Sequence, residues 1–249
     1  MKPYNPWSKG NAQRGSSLIE TMVASVLGLI ITSAALEAFV LHHGYFRAEA
    51  GKTEMQQDVR AGMNLMGSEL RLAASITSME ADGVGFRANV NDVQGTVLDH
   101  VLQGQTSVHV TSSRGWRRGK TVRFCSALTC EEHHLVRDGT AGHLTLSGPV
   151  LHDFPVGSHA EVVNEIRYYL SKTSSVNHKL IREVDHGANP LVEHVEEFSL
   201  SFLKADGTSA NRKEDVRLVH LQIRTSGVNG GRGGRISRTY RQDMGVRAL

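Results

Sequence analysis

The run from Thr21 to Leu36 constrains this chain more than any other stretch, because it carries no charged side chain. Lys2, Lys9 and Arg14 precede it, and Glu20 stands at its head. A helix from Leu18 to Leu41 is about 36 Å long at 1.5 Å per residue, enough to cross a bilayer core of about 30 Å. The cations lie before the run, so the positive-inside rule keeps the N-terminus in the cytoplasm and sends the rest of the chain across. Residues 1–15 have no apolar core of their own, whereas a secretory signal places its apolar run before the cut. The expected anchor therefore stays with the chain when a leader is lost.

Apart from this run the composition is that of an ordinary soluble protein. At 249 residues the chain holds one or two domains and buries a real core. Hydrophobic residues make up 39% and aromatics only 6%, and a net charge of +3 is no footprint of nucleic-acid binding. No nucleic-acid partner is expected.

The stretch Arg14-Gly15-Ser16-Ser17-Leu18-Ile19-Glu20 at the head of the apolar run resembles the N-terminus of type IV prepilins. The resemblance implies that a prepilin peptidase cuts between Gly15 and Ser16 and that the new amine of Ser16 is then methylated. Ser16 departs from the family pattern, where phenylalanine most often follows the cut. Glu20 matches it, and the resemblance gives this residue an assembly role. Its carboxylate would meet the N-terminal amine of a neighbouring subunit as the helices stack, neutralising both charges in an apolar bundle. Without that context, Glu20 reads as an interfacial carboxylate favoured at a helix start by the helix dipole.

The helix is expected to continue past the apolar run. Met55, Val59, Met63, Met66, Leu70 and Ala73 recur at three- and four-residue steps, which marks one apolar face. No proline interrupts residues 16–74, so we predict one long N-terminal helix over that range, membrane-spanning over about 18–41. Glycines such as Gly28, Gly44 and Gly62 each lower helix propensity by up to about 1 kcal/mol relative to alanine. The segment Met55 to Ala74 resembles the second half of the helix in PilW-like minor pilins and in the related J-type minor pseudopilins of type II secretion.

Beyond Ser75 the period becomes alternating. Strands are predicted at 107–111, 121–124, 143–146, 160–163, 165–170, 179–183, 195–202 and 216–224, separated by Gly, Asp and Asn turns. The fold class is therefore α+β, a long N-terminal helix packed on a mainly antiparallel, β-rich head at 75–249. Short, closely spaced strands suggest a β insertion at about 104–160. From Glu165 onward the pattern resembles the C-terminal sheet of the PilW-like group.

Cys125 and Cys130 are the two cysteines. In a reducing cytosol they would be buried thiols or half a metal site. Outside the inner membrane, where the expected topology puts them, a disulfide closing a small loop is favoured.

Several motifs lose force on inspection. Gly115-Trp116-Arg117-Arg118-Gly119-Lys120-Thr121 has three residues between its glycines where a phosphate loop needs four, and a strand follows it, so it reads as a basic turn. The glycine-rich run 227–235 reads as a hairpin connection between Ile223 and Ile236. The thirteen histidines, among them His133-His134 and the scattered His100, His109, His143, His152 and His159, show no repeated ligand spacing. Glu131-Glu132 and Glu196-Glu197 are adjacent, and strand neighbours point to opposite faces, so they make poor acid/base couples.

These features lead to an expected PilW-like minor type IV pilin, an assembly protein and not an enzyme, with no cofactor and no metal. Its expected partners are the prepilin peptidase/methyltransferase, other major and minor pilins and the inner-membrane pilus assembly machinery. The expected location is the inner membrane, single-pass with a periplasmic head, and then the pilus at the cell surface. The alternatives are a minor pseudopilin of a type II secretion system and a membrane-anchored periplasmic binding or adhesion protein.

Overall fold

The computed structural model describes residues 17–111, 114–171, 178–228 and 235–246. It divides into two compact units. Among the described residues, the first comprises those up to Ala50 and the second those from Gly51 onward. The layout is α+β, one long apolar N-terminal helix and a large, curled antiparallel sheet.

Helix α1 runs over Leu18–Arg71. It stops three residues before the predicted bound, because Ala73 and Ala74 already belong to the first strand, β1 (Ala73–Glu80). In the first unit the described part of α1 is exposed throughout. In the second unit Val59, Met63, Met66 and Leu70 are buried, as their spacing predicts. Each of these burials contributes at most about 1.5–3 kcal/mol.

The strands in chain order are β1, β2 (Gly83–Ala88), β3 (Gln94–Thr96), β4 (Ser107–His109), β5 (Thr121–Cys125), β6 (Cys130–His134) and β7 (His143–Thr145). They continue with β8 (His159–Ser171), β9 (His178–Val184), β10 (Gly187–Leu203), β11 (Leu218–Val228) and β12 (Arg235–Gly245). The main sheet follows the order β1-β2-β8-β9-β10-β11-β12, with β3 and β5 also on β8 and with β6 on β5. Strands β4 and β7 form a separate pair.

Strand β8 organises the second unit because its two halves serve two cores. Ala160 and Val162 lie in one core with Trp116, Phe124, Leu144 and Phe154. Ile166 and Tyr168 lie in the other with Phe86, Leu180, Phe198, Leu221 and the α1 residues. All four have the same parity, so they share one face of the strand. The sequence reading broke this strand at Asn164. The structure keeps it continuous, because the fully buried Asn164 amide donates to Asp185 at 2.8 Å and accepts from Asn91 at 3.4 Å.

Helix α1 and strand β10 pass close together at Gly62. A Cβ there would lie 2.9 Å from Val192 Cγ2 and 3.2 Å from Leu191 Cγ, so any side chain would force these neighbours apart. The glycine that weakens the helix locally is what admits this approach.

Candidate functional site

The expected processing and assembly residues are Gly15, Ser16 and Glu20. Gly15 and Ser16 lie outside the described residues. Glu20 sits in the first turn of α1, exposed, where the helix dipole favours a carboxylate. The Ser17 carbonyl starts the helix by accepting from the Glu20 N–H at 2.9 Å and the Thr21 N–H at 3.2 Å.

Beyond Glu20 the helix presents an apolar surface with no protein cover. Leu29, Ile31, Phe39 and Val40 are each between 65% and 70% exposed. Three hydroxyls in this stretch turn back onto the helix itself. Thr21 donates to the Leu18 carbonyl, Ser25 to Thr21 and Thr32 to Gly28, at 2.9, 2.7 and 2.7 Å. A donor satisfied in this way is compatible with hydrocarbon. Helix α1 is long and apolar enough to cross a membrane.

A second polar constellation ties the last turns of α1 to the sheet. Glu69 is only 5% exposed, yet it is a carboxylate on the apolar face. The Arg182 guanidinium donates from Nε to both of its oxygens, at 3.0 and 3.2 Å, and from Nη2 to Oε1. The Tyr168 hydroxyl donates to Oε2. Burial and then the bond to Glu69 push the Tyr168 phenol well up, so it stays a neutral donor. The bond to Glu69 raises Arg182 against the opposing effect of burial. The arrangement stores no reactive group, and it fixes helix against sheet by a paired, buried charge.

The second core carries its own polar rim. Cys125 and Cys130 are disulfide-bonded at the junction of β5 and β6, with Cα atoms 4.1 Å apart. The enclosed turn is braced by Ser126, whose N–H donates to the Thr129 carbonyl at 2.8 Å. Next along β6, Glu131 accepts from the Leu151 N–H at 2.8 Å and from His152, and it pairs with His133 Nε2 at 3.1 Å. Burial pushes this carboxyl up, but these three hydrogen bonds together hold it below its ordinary value of 4.5. A carboxylate with a depressed pKa contributes stability above its unfolded pKa and loses it as pH falls through the folded one. Stability of the second unit is therefore expected to decline as pH falls below about 4.5, and Glu131→Gln is expected to flatten that decline. A urea midpoint series between pH 3 and 6 checks this, and an unchanged slope in the variant contradicts it.

A cavity of about 650 Å³ lies beside the disulfide, lined by Leu72, Asn89, Arg123, Cys130, His159 and Glu161 among others. Arg123 donates to Glu161 across β5 and β8, with Nε at 3.1 Å, so the two charges at its floor satisfy each other.

No family model, curated protein or solved structure matches this chain. The structure brings the Glu20 position and the exposed apolar face together on one helix and places the disulfide on a separate hairpin. Glu131 and Glu132 separate as strand alternation requires, Glu131 facing the histidines and Glu132 pairing with Arg87, but Glu196 and Glu197 do not: a register shift between Val195 and Glu197 lets both reach Arg224, at 3.3 and 3.2 Å. Trp116, in the segment read as a basic turn, is only 1% exposed. The sequence reading missed the Glu69 constellation. Its signal was a carboxylate three residues after Met66, in phase with the apolar stripe.

Proposed function

We propose that this chain is a PilW-like minor type IV prepilin that takes part in initiating or assembling a pilus. The observation that carries the reading is the N-terminal arrangement: Gly15-Ser16 followed by Glu20 in the first turn of an uncovered apolar helix, continuous with a half that packs on a β-rich sheet. In this reading a peptidase removes residues 1–15, the mature helix waits in the inner membrane with the sheet on the periplasmic side, and Glu20 guides docking. A carboxylate entering an apolar bundle costs several kcal/mol unless it is paired. The cationic amine created at Ser16 of an incoming subunit is the partner that removes this cost. Pairing thus selects the correct axial register between neighbours.

Glu20→Ala is expected to leave leader removal and membrane insertion intact and to abolish or slow pilus assembly. Counting surface pili beside an immunoblot for the processed chain tests this. Normal piliation by the variant in a strain lacking the wild-type gene contradicts the docking role.

A further inference from the structure

The main sheet ends in two edges, and they are finished differently. At one end β1 is irregular and covered. Its ladder with β2 shifts register between Ala73 and Ser75 and again between Ile76 and Ser78. A single 3₁₀ turn, Lys213–Asp215, lies against it, and the Lys213 ammonium donates to the Thr77 carbonyl. Bulges and covers of this kind keep a sheet from growing.

At the other end β12 has neither device. It pairs with β11 over eleven consecutive positions, from Leu218 opposite Gly245 to Val228 opposite Arg235, with no register shift and no proline. Among the described residues no strand pairs with its outer side. In an antiparallel ladder every second residue turns its N–H and C=O away from the partner strand, so the outer side of β12 carries a row of backbone donors and acceptors. Charge on the strand decides what can pair with them. Arg238 is exposed and meets no carboxylate among the described residues. Arg241 is exposed and donates from Nε to the neutral Gln222 amide oxygen at 2.8 Å. The strand's own carboxylate, Asp243, is taken by His220 at 2.6 Å.

Arg238 and Arg241 are three positions apart, so they stand on opposite faces of the strand. A second copy of this chain would bring the same cations to the edge, and like charges across a strand pair destabilise it. An extended segment with two carboxylates three residues apart puts one opposite each guanidinium, on both faces at once. We propose that the outer edge of β12 docks an extended acidic segment of another protein, which adds to the sheet as its next strand. Backbone hydrogen bonds supply the pairing, and Arg238 and Arg241 select the charge. This edge lies wholly in the second unit, and its docking role does not depend on the pilin reading.

The test uses the full chain in detergent and a fluorescent peptide of about ten residues, long enough to pair along the edge, built from Thr and Val with two Glu three positions apart. Anisotropy is expected to show saturable binding that weakens as salt rises. Arg238→Glu with Arg241→Glu is expected to weaken it about tenfold or more and to bind instead the same peptide carrying Lys for Glu, a swap that a misfolded variant does not make. Hydrogen exchange on the wild-type complex is expected to slow at alternate amides of β12. No saturable binding of the Glu peptide, binding without protection of β12, loss in the variant with no gain for the Lys peptide, or a wild-type dimer that the double variant lacks overturns the proposal.

Discussion

Arg182→Met is expected to destabilise the second unit by about 3–5 kcal/mol, because it leaves the Glu69 carboxylate buried without its cation. The methionine replaces the aliphatic bulk of arginine, so the loss measures the charge and not a cavity. Glu69 makes its other bond to the Tyr168 hydroxyl, a neutral donor that does not compensate a full charge. Removing the opposite partner as well is expected to recover much of the loss. In Glu69→Met with Arg182→Met no charge is stranded, and replacing a buried pair by apolar residues of similar volume is often neutral or stabilising. The Tyr168 hydroxyl is then left unpaired at about 1–3 kcal/mol, which Tyr168→Phe removes. Urea midpoints for the single, double and triple variants separate these contributions. A single Arg182→Met variant within about 1 kcal/mol of wild type would show that water reaches Glu69 and that the pair does not hold helix to sheet.

Ile30→Asp is the second large effect. Ile30 is 60% exposed in the middle of the apolar run, with no protein around it to accept a charge. A carboxylate at the centre of a spanning helix costs about 2.5–3.5 kcal/mol on insertion scales, a hundredfold or more in the partition between membrane and water. The variant is expected to leave the membrane fraction or to be degraded, as judged by carbonate extraction and immunoblotting. The same substitution at Glu54, already a carboxylate-bearing position in the other unit, is expected to have no such effect as Glu54→Asp. Retention of Ile30→Asp at the wild-type level would contradict a spanning role for this segment.

The helix was the most legible part of the chain. An uncharged run and a stripe at three- and four-residue steps are strong periodic signals, and α1 follows both from Leu18 to Arg71. The last predicted turn failed because Ala73, which extends the stripe numerically, is buried equally well as the first residue of a strand. Strands with strong β-formers, such as those at 165–170 and 216–224, were legible for the same reason. The hairpin of β1 and β2 was not, since it is built largely from Ala, Ser and Gly, whose preference for a sheet comes from their neighbours. Strand β6 was missed because Cys130-Glu131-Glu132-His133-His134 holds no strong β-former and no apolar alternation. Glu131 and His133 face inward only because Leu151 and His152 arrive from a distant part of the chain to bond with Glu131.

Site residues divide along the same line. The position of Glu20 in the first turn of α1 was legible because it depends on local sequence: a single carboxylate before an uncharged run. Cys125 and Cys130 were also legible, being close in sequence, and they close the β5–β6 turn. Glu69 with Arg182 was not legible, because the pair is made by tertiary register: nothing in the local sequence around Glu69 names residue 182 as its neighbour.

The most direct test of the proposed function is intact-mass and N-terminal peptide mass spectrometry of the chain purified from its own cells. The predicted result is a mature chain that begins at Ser16, with residues 1–15 gone, with or without an added methyl group on the new amine. An unprocessed chain that begins at Met1 in cells with an active prepilin peptidase would contradict the prepilin assignment.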